Sequence, residues 1–320
     1  MVDVSLITSL YRSDAHIESY AERVRALMDA AAAQGVRVEV LIVANEPTPF
    51  EREVITRLSA NAPQVRLIEV PRETLYASWN RGVQAAQGVA IGFWNVDDAR
   101  TLEGITAGYA RIQAGCRLVH FAHDVVRSDD GRERVRRYEP IPFDREAHRR
   151  IMKCGPFFLF QRDLYAEVGP FDERFRICGD FDWCARATAV TAFCPVNVLG
   201  GTFYLHGGNL SDTGDPRQTA ECNVAILKNG VPQYLQPCEP EVMRATWERW
   251  GDAHLPLEAA LKVRLWGEGA TERYQQALRA KRRQQQRTRI ALALRYLPRQ
   301  FINRTGLRGP LARLGIVKPE

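Results

Sequence analysis

Apolar residues alternate between two patterns along the first 120 positions. Short, nearly continuous apolar runs are separated by stretches whose apolar positions return every three or four residues. The runs read as strands covered on both faces, the stretches as amphipathic helices. Val2 to Thr8 predicts the first strand. Ile17, Tyr20, Val24, Leu27, Met28 and Ala31 then form a helical stripe, which Ser13 or Asp14 can cap and Gly35 can end. Val38 to Val43 predicts a strand, Glu51 to Leu58 a helix, Val65 to Val70 a strand, and Tyr76 to Gln87 a helix closed by Gly88. Val89 to Trp94, Thr101 to Gln113 and Arg117 to Phe121 continue as strand, helix and strand. This rhythm predicts an α/β fold, a mostly parallel sheet with helices on both faces.

Ligands of such sheets bind beyond the carboxyl ends of the strands. Those ends are Thr8 to Arg12, Ala44 to Glu46, Pro71 to Glu73 and Asn95 to Asp98. After about residue 125 the rhythm is lost. Asp129 to Arg132 reads as a hairpin turn, and Pro156 to Gln161 and Val196 to Leu205 as further strands. Glu241 to Trp250 and Leu255 to Leu265 read as helices, with Trp247, Trp250 and Trp266 as packing residues. Glu272 to Arg289 is a basic helix. Ile290, Leu294, Leu297 and Phe301 follow on one helical face, with Pro298 as a break. Three segments result: a main domain over 1–230, a helical extension over 231–270 and a basic amphipathic tail over 271–320.

Composition adds three points. Of the 320 residues, 45% are hydrophobic and 26% charged, which excludes wholesale disorder. Mean hydropathy is −0.30. No run reaches the ~18 apolar residues of a spanning helix, and the N-terminus lacks the basic start of a signal peptide. The net charge of +6 is unevenly placed: Thr271 to Glu320 holds 13 Lys and Arg against 2 Asp and Glu, so the tail carries +11 and the preceding 270 residues −5. Seven cysteines, at 116, 154, 178, 184, 194, 222 and 238, contain no C-x-x-C pair and read as reduced thiols of a cytoplasmic protein.

Asp97 and Asp98 end the fourth strand. Two carboxylates at a strand end suit a hard divalent cation whose other positions are filled by phosphate oxygens and water, and they suit a polar turn equally well. Trp79 to Gly88 and Ile91 to Asp98, read with Ile7 to Arg12, resemble the family 2 glycosyltransferases of the GT-A fold. The helix matches "N-x-G-x-x-x-A-x-G". The strand end matches the family's D-x-D variant, with Asn95 in place of the first Asp. Arg12 stands where the family's base loop usually has Asn. Gly169 to Phe175 and Cys178 to Arg186 resemble the later "G-x-F-D-E-x-F" and "E/G-D-x-D-x-x-x-R" segments, and Tyr204 to Ser211 the segment with a late His.

The resemblance implies a Rossmann-like GT-A sheet and an inverting hexosyl or N-acetylhexosaminyl transfer from a nucleotide-sugar donor, a UDP-sugar. It makes Asp180 the general base, with a helix cap as the alternative role, while Asp182 and Arg186 form a structural i, i+4 pair. It places Thr8, Ser9, Tyr11, Glu46, Asn80, Asn95 and Asp97 around the donor, and Asp97, Asp98 and His206 around Mn²⁺ or Mg²⁺. The acceptor would be a glycan or a lipid-linked precursor in cell-envelope polysaccharide synthesis. The tail could meet an anionic membrane surface, a second subunit or the acidic body. Nucleic acid is not expected, because no binding motif accompanies the charge. No G-x-G-x-x-G, P-loop or G-x-S-x-G motif supports a dehydrogenase, an NTPase or a hydrolase. A GT-A-like protein that binds carbohydrate or nucleotide without catalysis is the alternative.

Overall fold

The computed structural model describes residues 2–129, 132–211 and 215–295. It divides into two compact units, residues 1–236 with 245–256, and residues 237–244 with the segment from 257 onward.

The first unit is built on one mixed nine-stranded sheet. Its centre is β1 (Val4–Leu10), paired in parallel with β2 (Val38–Asn45) on one side and β4 (Ala90–Phe93) on the other. β3 (Val65–Val70) continues outward from β2. β2 is buried at every position, as its almost wholly apolar run predicts, and the one charge inside it, Glu39, is buried with it. The helices α1 (Ile17–Ala33), α2 (Pro49–Asn61) and α3 (Leu75–Ala85) connect these strands. α1 buries the predicted stripe. Gly35 ends it in the left-handed region (φ 71°), where a Cβ would be strained.

The capping of α1 differs from expectation. Its first turn has no side-chain cap; the Ser13 N–H instead donates to Glu51 Oε1 at 2.5 Å, and Thr48 Oγ1 donates to Asp14. α2 begins with a capping box of Thr48 and Glu51 around Pro49, and Thr74 caps α3. Gly88 does not close α3, which stops at Ala85. A Cβ at Gly88 would lie 2.5 Å from the Ser5 backbone nitrogen, so this glycine lets the chain pass against β1.

The far half of the sheet is mixed. β5 (Ala99–Arg100) precedes α4 (Leu102–Gln113), and β6 (Leu118–Asp129) forms a hairpin with β7 (Arg132–Tyr138). Asp129 pairs with Arg132, so the chain turns at the predicted place. After α5 (Arg145–Arg150), β8 (Leu159–Gln161) inserts antiparallel between β4 and β6. Past α6 (Arg162–Val168) and α7 (Gly179–Ala187), β9 (Phe193–Leu205) runs parallel to β6. That register sets Leu118 beside Phe193 and brings the neighbouring Cys116 and Cys194 together as a disulfide. This corrects the expectation of reduced thiols throughout: two cysteines 78 positions apart, with no local motif, meet only through a strand pairing. Among the described residues Cys154, Cys178, Cys184, Cys222 and Cys238 form no disulfide.

α8 (Pro216–Lys228) completes this unit with a charged lock. Lys228 reaches Asp172 at 2.7 Å and Asp182 at 3.0 Å, and Arg186 holds Asp182 at 3.0 Å. The Asp182–Arg186 pair is therefore structural, as expected. Burial pushes the Asp172 carboxyl up, but hydrogen bonds from Arg174, Lys228 and Trp250 more than offset it and hold the group below the usual carboxylate range. Trp250 is buried against Phe175 and acts in packing.

The remaining helices are α9 (Pro240–Trp247), α10 (Gly251–His254), α11 (Ala259–Trp266) and α12 (Ala270–Arg295). α12 contains the predicted basic helix, with Ile290 exposed. The side chain of Leu294, and Leu297, Pro298 and Phe301 altogether, lie outside the described residues. No helix among the described residues is long and apolar enough to cross a membrane.

Asp182 has no exposed side-chain surface. Removing it takes from Arg186 its carboxylate and leaves Lys228 with Asp172 alone, at a cost of about 3–5 kcal/mol. Asp182→Ala should lower the urea midpoint accordingly, whereas Arg52→Ala, which breaks an exposed pair with Glu69, should cost less than ~1 kcal/mol. Equal midpoints for the two variants would show that the Asp182 lock does not hold the fold.

Candidate active site

The carboxyl ends of β1 to β4 open into a cavity of about 980 Å³. At β1 the chain leaves through Tyr11 and Arg12, and at β3 through Arg72. Both guanidiniums face the Tyr11 ring, Arg72 at 4.4 Å and Arg12 at 5.3 Å from its centroid. Arg12 and Glu46, the residues that follow β1 and β2, sit in left-handed backbone with φ 48° and 45°. Non-glycine residues hold that conformation only where surrounding structure enforces it, and such residues cluster at functional sites. Asn45 is part of that enforcement. Its amide donates to Ser78 Oγ at 3.0 Å and to the Leu10 carbonyl at 3.3 Å, and its oxygen accepts the Glu73 N–H at 2.9 Å. Ser9, Tyr11, Asn95, Asp97, Asp180 and His206 all line the cavity.

Four expected residues do not line it. Thr8 is fully buried and bonds Tyr20 Oη at 2.5 Å and the Trp94 carbonyl at 2.8 Å, tying β1 to the end of β4. Asn80 spends both ends of its amide on the chain beyond α6. It donates to the Phe171 carbonyl and Glu173, and accepts from Tyr165 Oη and the Phe171 N–H. Glu46 is exposed outside the cavity wall. Asp98 is buried behind it, accepting from Asn95 Nδ2 at 2.8 Å and the Tyr204 N–H at 3.3 Å. Burial, reinforced by the charge of Asp97, pushes its carboxyl well above the usual range. Thr8, Asn80 and Asp98 thus stand behind the cavity wall, with their hydrogen bonds made to the protein itself.

Asp97 and His206 do meet. His206 Nε2 lies 3.0 Å from Asp97 Oδ2, which also accepts from Asn209 Nδ2 at 3.2 Å; the His206 ring stacks on His16 at 5.3 Å. The Gly208 N–H donates to His206 Nδ1, so the neutral imidazole carries its proton on Nε2 and donates it to Asp97. Among the described residues no three His, Cys, Asp or Glu side chains converge as a metal cage. One accessible carboxylate beside an imidazole is still the donor set of a hard cation that takes its remaining ligands from phosphate and water. Asp97 fits that role, His206 fits it by giving up its bond to Gly208, and Asp98 does not.

Asp180 stands in the first turn of α7. Its Oδ1 accepts from the Phe181 N–H at 2.8 Å and from Tyr76 Oη at 3.3 Å. Burial raises its pKa to about 6 despite those bonds. Gly179 makes the approach possible, since a Cβ there would lie 2.7 Å from the Tyr76 ring. The loop before α7 hangs on a residue the sequence did not single out, Glu221 of α8. Its buried carboxylate accepts the N–H groups of Arg176, Ile177 and Cys178 at 2.7–3.1 Å and pairs with Arg249 at 2.7 Å.

Residues 6–169 match Glycosyl transferase family 2. The chain belongs to that family. Two curated relatives come from Pasteurella multocida. A chondroitin synthase from strain Pm70 is 25% identical over 71% of this chain and 24% of its own length, and a hyaluronan synthase is 26% identical over 64% and 21%. The family 2 chain thus spans about a quarter of the length of these relatives. Among solved structures, residues 1–349 of S. aureus TarS in complex with UDP-GlcNAc superpose with a TM-score of 0.56 at 13% identity, covering 78% of this chain and 72% of that one. The UDP complex gives 0.55 at 13%, over 81% and 76%. These likenesses show the GT-A fold, and the mixed, mostly parallel sheet is the one the sequence predicts.

The Asp180 pKa sets a pH expectation. A carboxylate takes a proton only when ionised, so turnover that used Asp180 as its base would fall with falling pH along a limb near pH 6, above the range of an ordinary aspartate. The sign for stability is opposite, because stability tied to the neutral acid is lost as pH rises through about 6. A pH profile of kcat that is flat from pH 7 to 5 would separate Asp180 from the proton transfer.

Proposed function

We propose that this chain is an inverting glycosyltransferase that moves a sugar from a UDP-sugar to a glycan or lipid-linked acceptor of an envelope polysaccharide. The observation that carries the reading is the presence of Asp97 and Asp180 on one cavity at the carboxyl ends of the sheet. Tyr11, Arg12 and Arg72 form the nucleotide end, the ring offering a stacking face and the cations a complement to the donor's charge. Asp180 removes the proton from the acceptor hydroxyl as its oxygen attacks the anomeric carbon and the bond to the diphosphate breaks. A carboxylate with a pKa of about 6 is a stronger base than an exposed one and is still ionised at neutral pH. A bound Mn²⁺ or Mg²⁺ would neutralise charge on the leaving diphosphate. Asp97 would hold it, joined by His206. TarS, which shares the fold, was crystallised with UDP-GlcNAc and with UDP, which supports a uridine nucleotide as the donor's leaving group.

Titration calorimetry with UDP tests the donor side. Affinity should fall at least ~10-fold without a divalent cation, and Asp97→Ala should remove that dependence. Asp180→Asn should keep UDP binding and lower turnover by ~10²–10⁴, the usual contribution of a placed general base. UDP binding with no turnover in the unaltered chain, across a panel of UDP-sugars and acceptors, would favour the non-catalytic binding protein.

The tail supports a peripheral membrane site. Each basic residue near an anionic surface contributes about 1 kcal/mol. Full-length protein should co-sediment with phosphatidylserine vesicles at low salt and be released as salt rises. Sedimentation that ignores vesicle charge would leave the tail to a subunit or the acidic body.

A further inference from the structure

Arg176 lies four residues before Asp180 and lines the same cavity. Among the described residues its guanidinium has no acceptor and no aromatic face. Its side chain is exposed, whereas those of its neighbours are held, Arg174 on Asp172 at 2.8 Å and Arg186 on Asp182 at 3.0 Å. The other two cavity cations, Arg12 and Arg72, are engaged with Tyr11. Asp180 is not its partner either, since its near contacts are Tyr76 and the Phe181 N–H.

The backbone that carries this open cation is nonetheless tightly held. Arg176 N–H reaches both Glu221 oxygens at 3.1 Å, and the next two N–H groups follow. Arg249 closes the clamp from behind, donating to Glu221 and to the Arg174 carbonyl. A fixed backbone with an unpaired head is an arrangement ready for an anion. Arg176 and the proposed base belong to one loop and helix and line one cavity, so an anion on Arg176 would be held by the segment that carries the base.

We infer that the acceptor carries an anionic group, a carboxylate or a phosphodiester, close to its reacting hydroxyl, and that Arg176 binds it. The inference rests on the glycosyltransferase reading above and adds the chemical class of the acceptor.

The test uses the full chain, the UDP-sugar that it turns over, and three acceptors of equal length: a uronate-containing oligosaccharide, a phosphodiester-linked oligomer and a neutral oligosaccharide. One anionic acceptor should be used at least ~10-fold better in kcat/KM than the neutral one, and which of the two wins identifies the anion. Arg176→Gln should raise KM for that acceptor about 10- to 100-fold, the scale of one lost charge-assisted contact, while kcat changes little. Arg176→Lys should recover part of the loss. Neutral and anionic acceptors used equally well, or a Gln variant that affects both alike, would overturn the inference and leave the donor chemistry standing. Failure to bind UDP or to turn over any UDP-sugar would overturn both.

Discussion

β1 is hydrogen-bonded in parallel to β2 and to β4, with Val4 level with both Val38 and Ala90. Because these strands run side by side in one direction, their polar ends arrive at one edge together. Tyr11 and Arg12, Asn45, and Asn95 to Asp97 reach the cavity by that alignment alone. Parallel strands must be covered on both faces, so everything around the edge follows from burying them: α1 with its apolar stripe, and α3 with Trp79 stacked on Phe93 at 3.7 Å. Thr8 and Asn45 then convert strand alignment into side-chain position. They spend their hydrogen bonds on Trp94 and Leu10 carbonyls at the edge, which fixes where the following residues emerge.

The proposed base is placed by different means. Asp180 is not on the parallel strands but on α7, and α7 is held by buried carboxylates. Asp182 and Asp172 share Lys228, and Glu221 grips the loop in front. Breaking any one of these takes a partner from a charge enclosed in the packing. The arrangement is therefore costly to disturb whatever its net contribution to stability, and that serves a residue whose position must hold to within a hydrogen-bond length.

The sequence made the first half of the fold legible because each element there carries its own signal. β2 is an apolar run, and α2 announces itself with Thr48, Pro49 and Glu51. The second half was not legible in the same way. β8 is three residues long and owes its antiparallel place to its neighbours, and the Cys116–Cys194 bond follows from the pairing of β6 with β9. At the site, motif spacing found Asp97, Asp180 and His206. It could not separate Asp97 from Asp98, because adjacent positions in a motif look alike while adjacent side chains in a chain point apart. Glu221 was invisible for another reason: a glutamate within a helix gives no sign that three backbone N–H groups from 43 to 45 positions earlier will converge on it.

Three carboxylates of the site meet three different environments, and the differences assign their work. Asp98 is enclosed, hydrogen-bonded and kept toward its neutral form, so it can shape the strand end without adding charge to it. Asp97, one residue before, reaches the cavity and keeps an imidazole and an amide on a single oxygen, leaving the other to a ligand. Asp180 is sheltered enough to be made more basic, yet it still lines the cavity. A site with all three equally exposed would repel the donor's diphosphate, and one with all three buried would have no base. Graded burial, set by which element each carboxylate stands on, gives the same side chain three settings in and behind one cavity, which suit the support, ligand and base roles proposed for Asp98, Asp97 and Asp180.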